Sequence, residues 1–285
     1  MTEVFSEAPY GGNQLATVID SDGLSSDEMQ KIARAFNFAE TTFLLGGSVA
    51  CGYDVRIFTP AEELPFAGHP TLGTCFVIRE VLLKKSVDSL TLNLGVGPIT
   101  VKFEQDVLWM RQNEPEFGDV VDRAKVAAEL GLLEEQIDEG FPCQYVSTGL
   151  EFLLVPMVSY DALKQAQQMS SELASGYLLF CRGGYNEDQQ IQARMFANTL
   201  GVPEDPATGS ANGCLAAYLA EHAYINSRSK NTGAIDICVG QGYEIARPSQ
   251  LYLRSLKSED EFVVEVGGKV RLIADGEWLL QSSSD

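Results

Sequence analysis

Two segments of the sequence are apolar on nearly every side of the helix that each is predicted to form. They span residues 71–84 and 211–225, and neither has the one-sided apolar stripe of a surface helix. A helix that is apolar all round is stable only when other elements enclose it. The sequence therefore predicts that each of these helices is wrapped by strands of its own.

The residues before the two helices repeat a pattern, in which Arg-x-Phe is followed by a proline and then by a turn of small residues. The first copy is Arg56-Ile57-Phe58, Pro65 and Gly68-His69, and the second is Arg194-Met195-Phe196, Pro203 and Gly209-Ser210. In both copies the proline comes seven residues after the phenylalanine. Chance is one explanation, because the pattern is short. The other is a duplicated α+β unit, whose two copies would leave a cleft between them.

The rest of the chain is predicted to be mostly strands. Ser25 and Glu28 form a capping box that begins an amphipathic helix. Further helices are expected at 123–133 and 160–168, a loop at 198–208 and a last strand at 269–281. Residues 112–119 are polar and turn-like. We place a boundary there, between an N-terminal domain of residues 1–115 and a C-terminal domain of residues 116–272.

The charge of the chain limits its partners. Its 285 residues include 40 acidic and 20 basic ones, for a net charge of −20. Such a chain repels phosphate backbones and anionic lipid surfaces, so we expect neither nucleic-acid nor membrane partners. The six cysteines are too scattered for a disulfide framework or a zinc site. With no basic and apolar segment after Met1, the sequence predicts a cytoplasmic protein.

A small anionic substrate would need a locally positive site, and the starts of the two apolar helices can supply one. A helix N-terminus presents free N–H groups and a partial positive charge. The first start contains Gly68 and Pro70, and the second contains Thr208, Gly209 and Ala211. These small residues let a ligand approach the main chain, so they are candidate substrate-binding residues. Ordinary helix capping is the alternative reading.

Three side chains near these helix starts could carry acid–base chemistry. Glu40 stands between a helix and a strand, among Phe38 and Phe43, and burial there would raise its pKa towards neutrality. His69 lies at the first helix start, where its ring could donate to a substrate or to Asp205. The alternatives are a solvated Glu40 and an Asp205 that serves only as a turn residue. The other histidine, His222, is interpreted as structural.

Two further functions remain open at this stage. Cys75 and Cys214 both lie early in the apolar helices, as a two-thiol amino-acid racemase or epimerase would require. Their alternative is burial in the core, which is common for cysteine. A ligand-binding protein without catalysis is the third hypothesis. No nucleotide, zinc-protease or serine-hydrolase motif is present.

Several motifs together resemble one family, the PhzF or phenazine-biosynthesis isomerase-like proteins, which share the diaminopimelate epimerase fold. They span residues 5 to 242 in the order of the family. The matching stretches are Gly11-Gly12-Asn13, Met29 to Ala33, Ala39-Glu40-Thr41-Thr42-Phe43, Phe58-Thr59-Pro60, Glu63 to Thr71, Glu204 to Ala211, and Gln241-Gly242.

The resemblance implies an α+β fold of two similar domains, each a curved, mostly antiparallel sheet around a central helix. It implies that residues 273–285 return to the first domain as the last strand. It also implies a homodimer, with neither metal nor other cofactor. By the family's motifs, Glu40, His69, Asp205 and Ser210 would be catalytic and Asn13 would bind substrate.

The family enzyme isomerises trans-2,3-dihydro-3-hydroxyanthranilate. By resemblance, Glu40 would move a proton between two carbons on one face of such a ring. The substrate of this chain is left open.

Overall fold

The computed structural model describes residues 1–198, 202–225, 234–259 and 261–279. Five α-helices lie in these ranges. They are α1 Ser26–Phe36, α2 Gly68–Val77, α3 Arg123–Glu129, α4 Tyr160–Gln165 and α5 Gly209–Glu221. A π-helical turn, Ile78–Leu83, continues α2. The capping box of Ser25 and Glu28 begins α1 as predicted.

Strands dominate the described part of the chain, so the α+β prediction is confirmed. The first nine are β1 Thr2–Val4, β2 Asn13–Val18, β3 Glu40–Ser48, β4 Gly52–Phe58, β5 Glu63–Leu64, β6 Ser89–Leu94, β7 Gly97–Glu104, β8 Val107–Arg111 and β9 Glu116–Val121. The next nine are β10 Cys143–Ser147, β11 Glu151–Pro156, β12 Tyr177–Arg182, β13 Ile191–Ala197, β14 Val202–Asp205, β15 Ala234–Gln241, β16 Ser249–Lys257, β17 Phe262–Gly268 and β18 Val270–Leu272.

The same pairing pattern occurs twice along the chain. In the first copy β2 is parallel to β3, β3 is antiparallel to β4, and β4 pairs with both β5 and β6. In the second copy β11 is parallel to β12, β12 is antiparallel to β13, and β13 pairs with both β14 and β15. Two antiparallel strands complete each copy, β7 and β8 in the first and β16 and β17 in the second. The topology therefore contains the repeat that the sequence pattern indicated.

The two copies are joined through their last strands. Strands β8 and β17 pair with each other in antiparallel fashion. The strand that follows β8, which is β9, pairs with β10 of the second copy, and the strand that follows β17, which is β18, pairs with β1 of the first. Each copy therefore contains one strand that follows the last strand of the other copy: β9 joins the second copy, and β18 joins the first.

The return of the chain to β1 is shorter and earlier than expected. The return is made by β18 at Val270–Leu272, whereas residues 273–279 form no strand. The N–H groups of Ile273 and Ala274 both donate to the carbonyl of Met1, the residue before the first residue of β1. Residues 280–285 lie outside the described residues.

Other predicted boundaries need correction. The turn predicted at 112–119 contains the start of β9, a largely exposed strand that lacks the alternation of a half-buried one. The loop predicted at 198–208 contains β14, and residues 199–201 of it lie outside the described residues. The helices predicted at 123–133, 160–168 and 211–225 end earlier, at Glu129, Gln165 and Glu221. The boundary near residue 115 stays a prediction.

Ion pairs show which residues correspond in the two copies. Arg56 pairs with Glu63 at 2.6 Å and lies over the ring of Phe58, and Arg194 pairs with Glu204 at 2.8 Å and lies over the ring of Phe196. Each glutamate stands five residues before the first residue of its buried helix.

This correspondence corrects the spacing read from the sequence. Pro65 corresponds to Pro206 and not to Pro203, because the second loop is longer by three residues. A Cβ added to Gly95 would meet Pro65, and one added to Gly242 would meet Pro206. The match therefore continues from the loop into the following strands.

The two arginines provide a matched test of the fold. Arg194 is 7% exposed, and besides Glu204 it donates to the carbonyls of Leu163, Lys164 and Ala166. Arg194→Met leaves these acceptors without a donor, so the free energy of unfolding should fall by about 3–5 kcal/mol. Arg56→Met removes the more exposed counterpart pair and should cost about 1 kcal/mol or less. Urea denaturation of both variants measures the difference, and equal losses would contradict the described burial.

Candidate active site

The starts of the two buried helices lie against each other. A Cβ placed on Gly68 would be 3.6 Å from the amide nitrogen of Ser210 and 3.8 Å from the Cα of Gly209. The N-cap residues are Ala67 in α2 and Thr208 in α5, and neither side chain caps its own helix. The first N–H groups of both helices are thus free of side-chain caps and gathered at one place, as an anion site requires.

The predicted binding residues differ in their access to solvent. Gly68, Thr208 and Ser210 are partly exposed at the junction of the two helices. Pro70, Gly209 and Ala211 are buried, so in this structure they shape the helix starts and do not face solvent. Pro70 is the third residue of α2, within the first turn as predicted. Contact of any of these residues with a substrate stays a prediction.

Glu40 and His69 form a buried pair beside this junction. Glu40 is the first residue of β3, where it lies next to Leu15 of β2, and His69 is the second residue of α2. Oε2 of Glu40 lies 3.4 Å from Nε2 of His69, and the two side chains are 17% and 7% exposed. Neither atom has a hydrogen-bond partner among the described residues. Glu40 is therefore not the solvated carboxylate of the alternative reading.

Burial raises the pKa of Glu40 to about 8, and the negative charge of Asp205 acts in the same direction. The sequence placed the cause in Phe38 and Phe43, which is wrong for Phe43. Side chains alternate along a strand, so Glu40 and Phe43 of β3 point to opposite faces. Phe43 packs edge-on against Phe58 in the cluster that also contains α1.

Burial lowers the pKa of His69 to about 3, and a hydrogen bond to the main chain of Gln14 only partly opposes this effect. Since Nε2 has no partner, Nδ1 is the nitrogen that donates to Gln14. The ring is then neutral and turns the lone pair of Nε2 towards Glu40. The sequence allows a substrate or a carboxylate such as Asp205 as the partner of His69, and the carboxylate that its ring faces in the structure is that of Glu40.

Asp205, at the end of β14, is held from both halves of the chain. Its Oδ1 accepts a hydrogen bond of 3.0 Å from Nδ2 of Asn13, and its Oδ2 accepts one from the hydroxyl of Thr208. Burial raises the pKa of Asp205, whereas these two hydrogen bonds lower it. Nδ2 of Asn13 also donates to the carbonyl of Ala207. The structure thus brings together Asn13 and Asp205, which the motifs had named separately.

Two further polar residues of this network had no assigned role in the sequence. Nε2 of Gln241 donates to the carbonyl of Asp205 at 2.8 Å and to Oγ1 of Thr208 at 3.2 Å. Oε1 of Gln241 accepts from Nδ2 of Asn212 at 2.8 Å. Gln241-Gly242 was among the family motifs, and Asn212 follows Thr208 by one helical turn. These two sequence features are the signals that could have pointed to Gln241 and Asn212.

Arg247 is a third residue for which the sequence predicts no role. Its guanidinium donates to the carbonyls of Gly11 and Gly12, the turn that precedes Asn13, and it lies 3.6 Å from the buried carboxylate of Glu3. The turn requires glycine at residue 12, because φ is +66° there and a Cβ would lie 2.4 Å from the carbonyl oxygen of Val4. Arg247 therefore fixes the approach of Asn13 to Asp205.

The two cysteines of the racemase hypothesis do not lie at this site. Cys75 and Cys214 are the eighth and sixth residues of their helices, past the first turn, and both are fully buried. Burial raises the pKa of Cys75, and it raises that of Cys214 to about 12. They do not correspond in the repeat either, since Cys75 matches Ala216 and Cys214 matches Gly73. The expected core role is therefore confirmed for both.

No other kind of site among the described residues involves the predicted site residues. Among the described residues, no group of three histidine, cysteine or carboxylate side chains is arranged to hold a metal ion. In the same part of the chain, no helix is long and apolar enough to cross a membrane. A surface cavity of about 440 Å³ is lined by Arg56, Glu63 and neighbouring residues, and none of the predicted site residues borders it. His222 bonds Gln144 at 2.8 Å at the end of α5, away from this site.

The chain matches a known protein family over nearly its whole length. The model of the PhzC-PhzF family, described as phenazine biosynthesis-like protein, matches residues 2–276. This chain belongs to the PhzF family. The match covers the three motifs that contribute Glu40, His69 and Asp205.

Curated PhzF relatives are isomerases. The trans-2,3-dihydro-3-hydroxyanthranilate isomerase of Pseudomonas chlororaphis is 34% identical over 93% of both chains. An isomerase of Pasteurella multocida, described as uncharacterized, is 33% identical over 99% of this chain and 94% of its own. The chain is accordingly an isomerase of the PhzF family. Relatives of equal identity differ in whether a substrate is known, so identity alone does not give the substrate.

Solved structures agree with the fold. A PhzF-family protein of Bacillus anthracis superimposes with a TM-score of 0.87 at 28% identity, over 98% of this chain and 97% of its own. A probable proline racemase of Agrobacterium radiobacter superimposes with a TM-score of 0.58 at 11% identity, over 98% and 92%. The second likeness concerns the fold alone. It places this PhzF protein among the epimerase-like folds, as the resemblance implied.

The thiols of this PhzF protein should differ in reactivity according to burial. Under native conditions iodoacetamide should modify Cys51, which is exposed, and leave Cys75 and Cys214 unmodified, because both are buried and bear neutral thiols. Peptide mapping by mass spectrometry measures the modified positions. Isomerase activity should survive the treatment. Loss of activity in step with modification of Cys75 or Cys214 would restore the thiol hypothesis.

Proposed function

We propose that this protein is a cofactor-independent isomerase that moves a proton between two carbons of a small cyclic or unsaturated carboxylate. Glu40 is the acid–base shuttle. The observation that carries the proposal is the buried Glu40 carboxyl, whose Oε2 has no hydrogen-bond partner among the described residues and whose pKa is raised to about 8. A carboxyl that removes and returns a proton at carbon needs a pKa near the working pH.

The neighbours of Glu40 support this role over one for His69. The pKa of His69 is lowered to about 3, so the ring stays neutral and is a poor acceptor for a proton from carbon. Its free Nε2 lies 3.4 Å from Oε2 of Glu40, where it can orient the carboxyl and accept its proton by hydrogen bond. His69 is therefore a positioning residue in this proposal.

The repeat supports a single base. Thr41 pairs with Phe58, and Tyr177 pairs with Phe196, so Glu40 corresponds to Gly176 in the second copy. A mechanism with two bases on opposite faces of the substrate would need a second acid–base group at the equivalent place, and glycine has none. The proposal therefore assigns both removal and return of the proton, on the same face, to Glu40. One C–H bond breaks, another forms and the double bond shifts, without net oxidation.

The junction of the helix starts provides the complementary anion site. N–H groups at the starts of α2 and α5, with the hydroxyl of Ser210, would hold the substrate carboxylate, and Asn13 and Asp205 would hold the rest of the molecule. The name of the Pseudomonas chlororaphis relative makes trans-2,3-dihydro-3-hydroxyanthranilate the first substrate to test. A homodimer remains a prediction that sedimentation can test.

Glu40→Gln tests the shuttle. Glutamine keeps the shape of the side chain but cannot accept a proton, so kcat should fall by roughly 10²–10⁴-fold while the protein stays folded. The measurement is NMR of trans-2,3-dihydro-3-hydroxyanthranilate and related cyclic carboxylates in D₂O. Product formation and deuterium incorporation at carbon should both be lost.

His69→Gln is the matched variant at the other end of the pair. It should lower the rate by a smaller factor, because the base remains, and it should retain deuterium exchange. If Glu40→Gln instead exchanges at the wild-type rate, Glu40 is not the shuttle.

The pH dependence gives an independent test. The carboxylate form of Glu40 removes the proton, and this form becomes the major one only above a pH of about 8. Between pH 6 and 8, kcat/KM should rise towards tenfold per pH unit and then level off. Initial rates across this range, with a substrate whose own groups do not titrate there, measure the profile. A flat profile would be inconsistent with a base of raised pKa.

A further inference from the structure

The direction of every hydrogen bond around Gln241 can be read from main-chain groups. Nε2 of Gln241 faces the carbonyl of Asp205, which can only accept, and Oε1 faces the N–H of Thr208 at 3.5 Å, which can only donate. These two contacts fix the orientation of the amide. Asn212 is oriented in the same way, because its Nδ2 also donates to the carbonyl of Thr208.

This orientation determines where the hydroxyl proton of Thr208 goes. Oγ1 of Thr208 accepts a hydrogen bond from Nε2 of Gln241, and a hydroxyl has a single proton to donate. The remaining partner of that hydroxyl is Oδ2 of Asp205. The chain of donors therefore runs from Gln241 through Thr208 to Asp205.

The other oxygen of Asp205 is also an acceptor. Nδ2 of Asn13 donates to it, and the orientation of that amide is fixed by its second bond, to the carbonyl of Ala207. Both oxygens of Asp205 thus face donors of fixed direction. A protonated Asp205 would point its proton at one of these donors, so the arrangement favours the anion.

We propose that Gln241 is a positioning residue that directs the Thr208 hydroxyl and so holds Asp205 as an anion beside Glu40. Gln241 has no exposed surface. It bonds the main-chain carbonyl of Asp205 directly, and it reaches the carboxylate of Asp205 through the hydroxyl of Thr208. In this proposal the Thr208 hydroxyl donates to Asp205, whereas the sequence predicts Thr208 as a substrate-binding residue.

Among the charged groups around Glu40, Asp205 is the one that shifts the pKa of Glu40. His69, from α2, is neutral because its pKa is lowered to about 3. Arg247, from the segment before β16, is bound to the carbonyls of Gly11 and Gly12 and faces Glu3. The pKa of Glu40 is raised by burial and by Asp205 alone among charged neighbours. A change that makes Asp205 easier to protonate should therefore lower the pKa of Glu40.

Two variants and their combination test the proposal. Gln241→Met and Thr208→Val should each move the acidic limb of the kcat/KM profile to lower pH by roughly half a unit or more. Gln241→Asn serves as a second variant if Gln241→Met does not fold. If Gln241 acts through Thr208, the double variant should shift no further than Thr208→Val alone.

Buried residues elsewhere provide matched controls. Gln189 likewise accepts from a main-chain N–H, that of Tyr185, and donates to Tyr243 and Gln250, but it does not touch Asp205. Thr148 is a buried threonine whose hydroxyl lies 3.7 Å from Sγ of Cys214, away from Asp205. Gln189→Met and Thr148→Val should leave the profile in place. Shifts that are additive in the double variant, or a shift in Gln189→Met equal to that of Gln241→Met, would overturn the proposal.

The kinetic readout rests on the proposed function, since it requires Glu40 to be the base. A titration of side-chain ¹³C-labelled aspartate does not, and Asp205→Asn assigns the signal of Asp205. Asp205 should take up a proton at higher pH in Gln241→Met than in the wild type. An unchanged titration would overturn the role of Gln241 even with Glu40 confirmed. A changed titration with a fully active Glu40→Gln would overturn only the shuttle.

Discussion

The packing of the α2 start against the α5 start is the constraint on which the active site depends. Both helices are mostly apolar around their circumference, so strands must enclose their sides, and their starts are where free N–H groups can meet polar groups. Gly68 and Gly209 keep the two ends close. Every polar side chain of the site is grouped at this junction, which gathers the partial positive charge of two helices in a chain of net charge −20.

The repeat makes the asymmetry of the site visible. Glu40 corresponds to Gly176, as the strand pairing shows. On the other side, Asp205, Thr208 and Gln241 correspond to three apolar residues, which are Leu64, Ala67 and Leu94. One copy therefore supplies Glu40, the proposed base, and the other supplies Asp205 with its hydrogen-bonded network. A site with equivalent groups on both sides would suit removal of a proton on one face and its return on the other.

The sequence predicts much of the fold and several of the site residues. The features that it does not predict share one cause. The apolar helices, the capping box at Ser25 and the motif residues Glu40, His69 and Asp205 depend on local pattern or on family motifs. The partners of Arg194 and the hydrogen bonds of Gln241 and Arg247 join segments that lie far apart in the chain, and no local pattern predicts them. The proline match failed because a loop may differ in length without changing the fold around it. Phe43 lies close to Glu40 in the sequence but on the opposite face of β3, because side chains alternate along a strand.

A base that both removes and returns a proton must hold that proton with intermediate strength, and in the proposed mechanism the surroundings of Asp205 help to set that strength for Glu40. An arginine paired with Asp205 would cancel the negative charge of Asp205. That charge would then no longer raise the pKa of Glu40. The neutral donors Asn13 and Thr208 stabilise the anion without cancelling it. The nearby guanidinium of Arg247 is bound instead to main-chain carbonyls of the Gly11-Gly12 turn. In the proposed mechanism, the charge of an anionic Asp205 is therefore held by neutral hydrogen-bond donors and stays uncompensated towards Glu40.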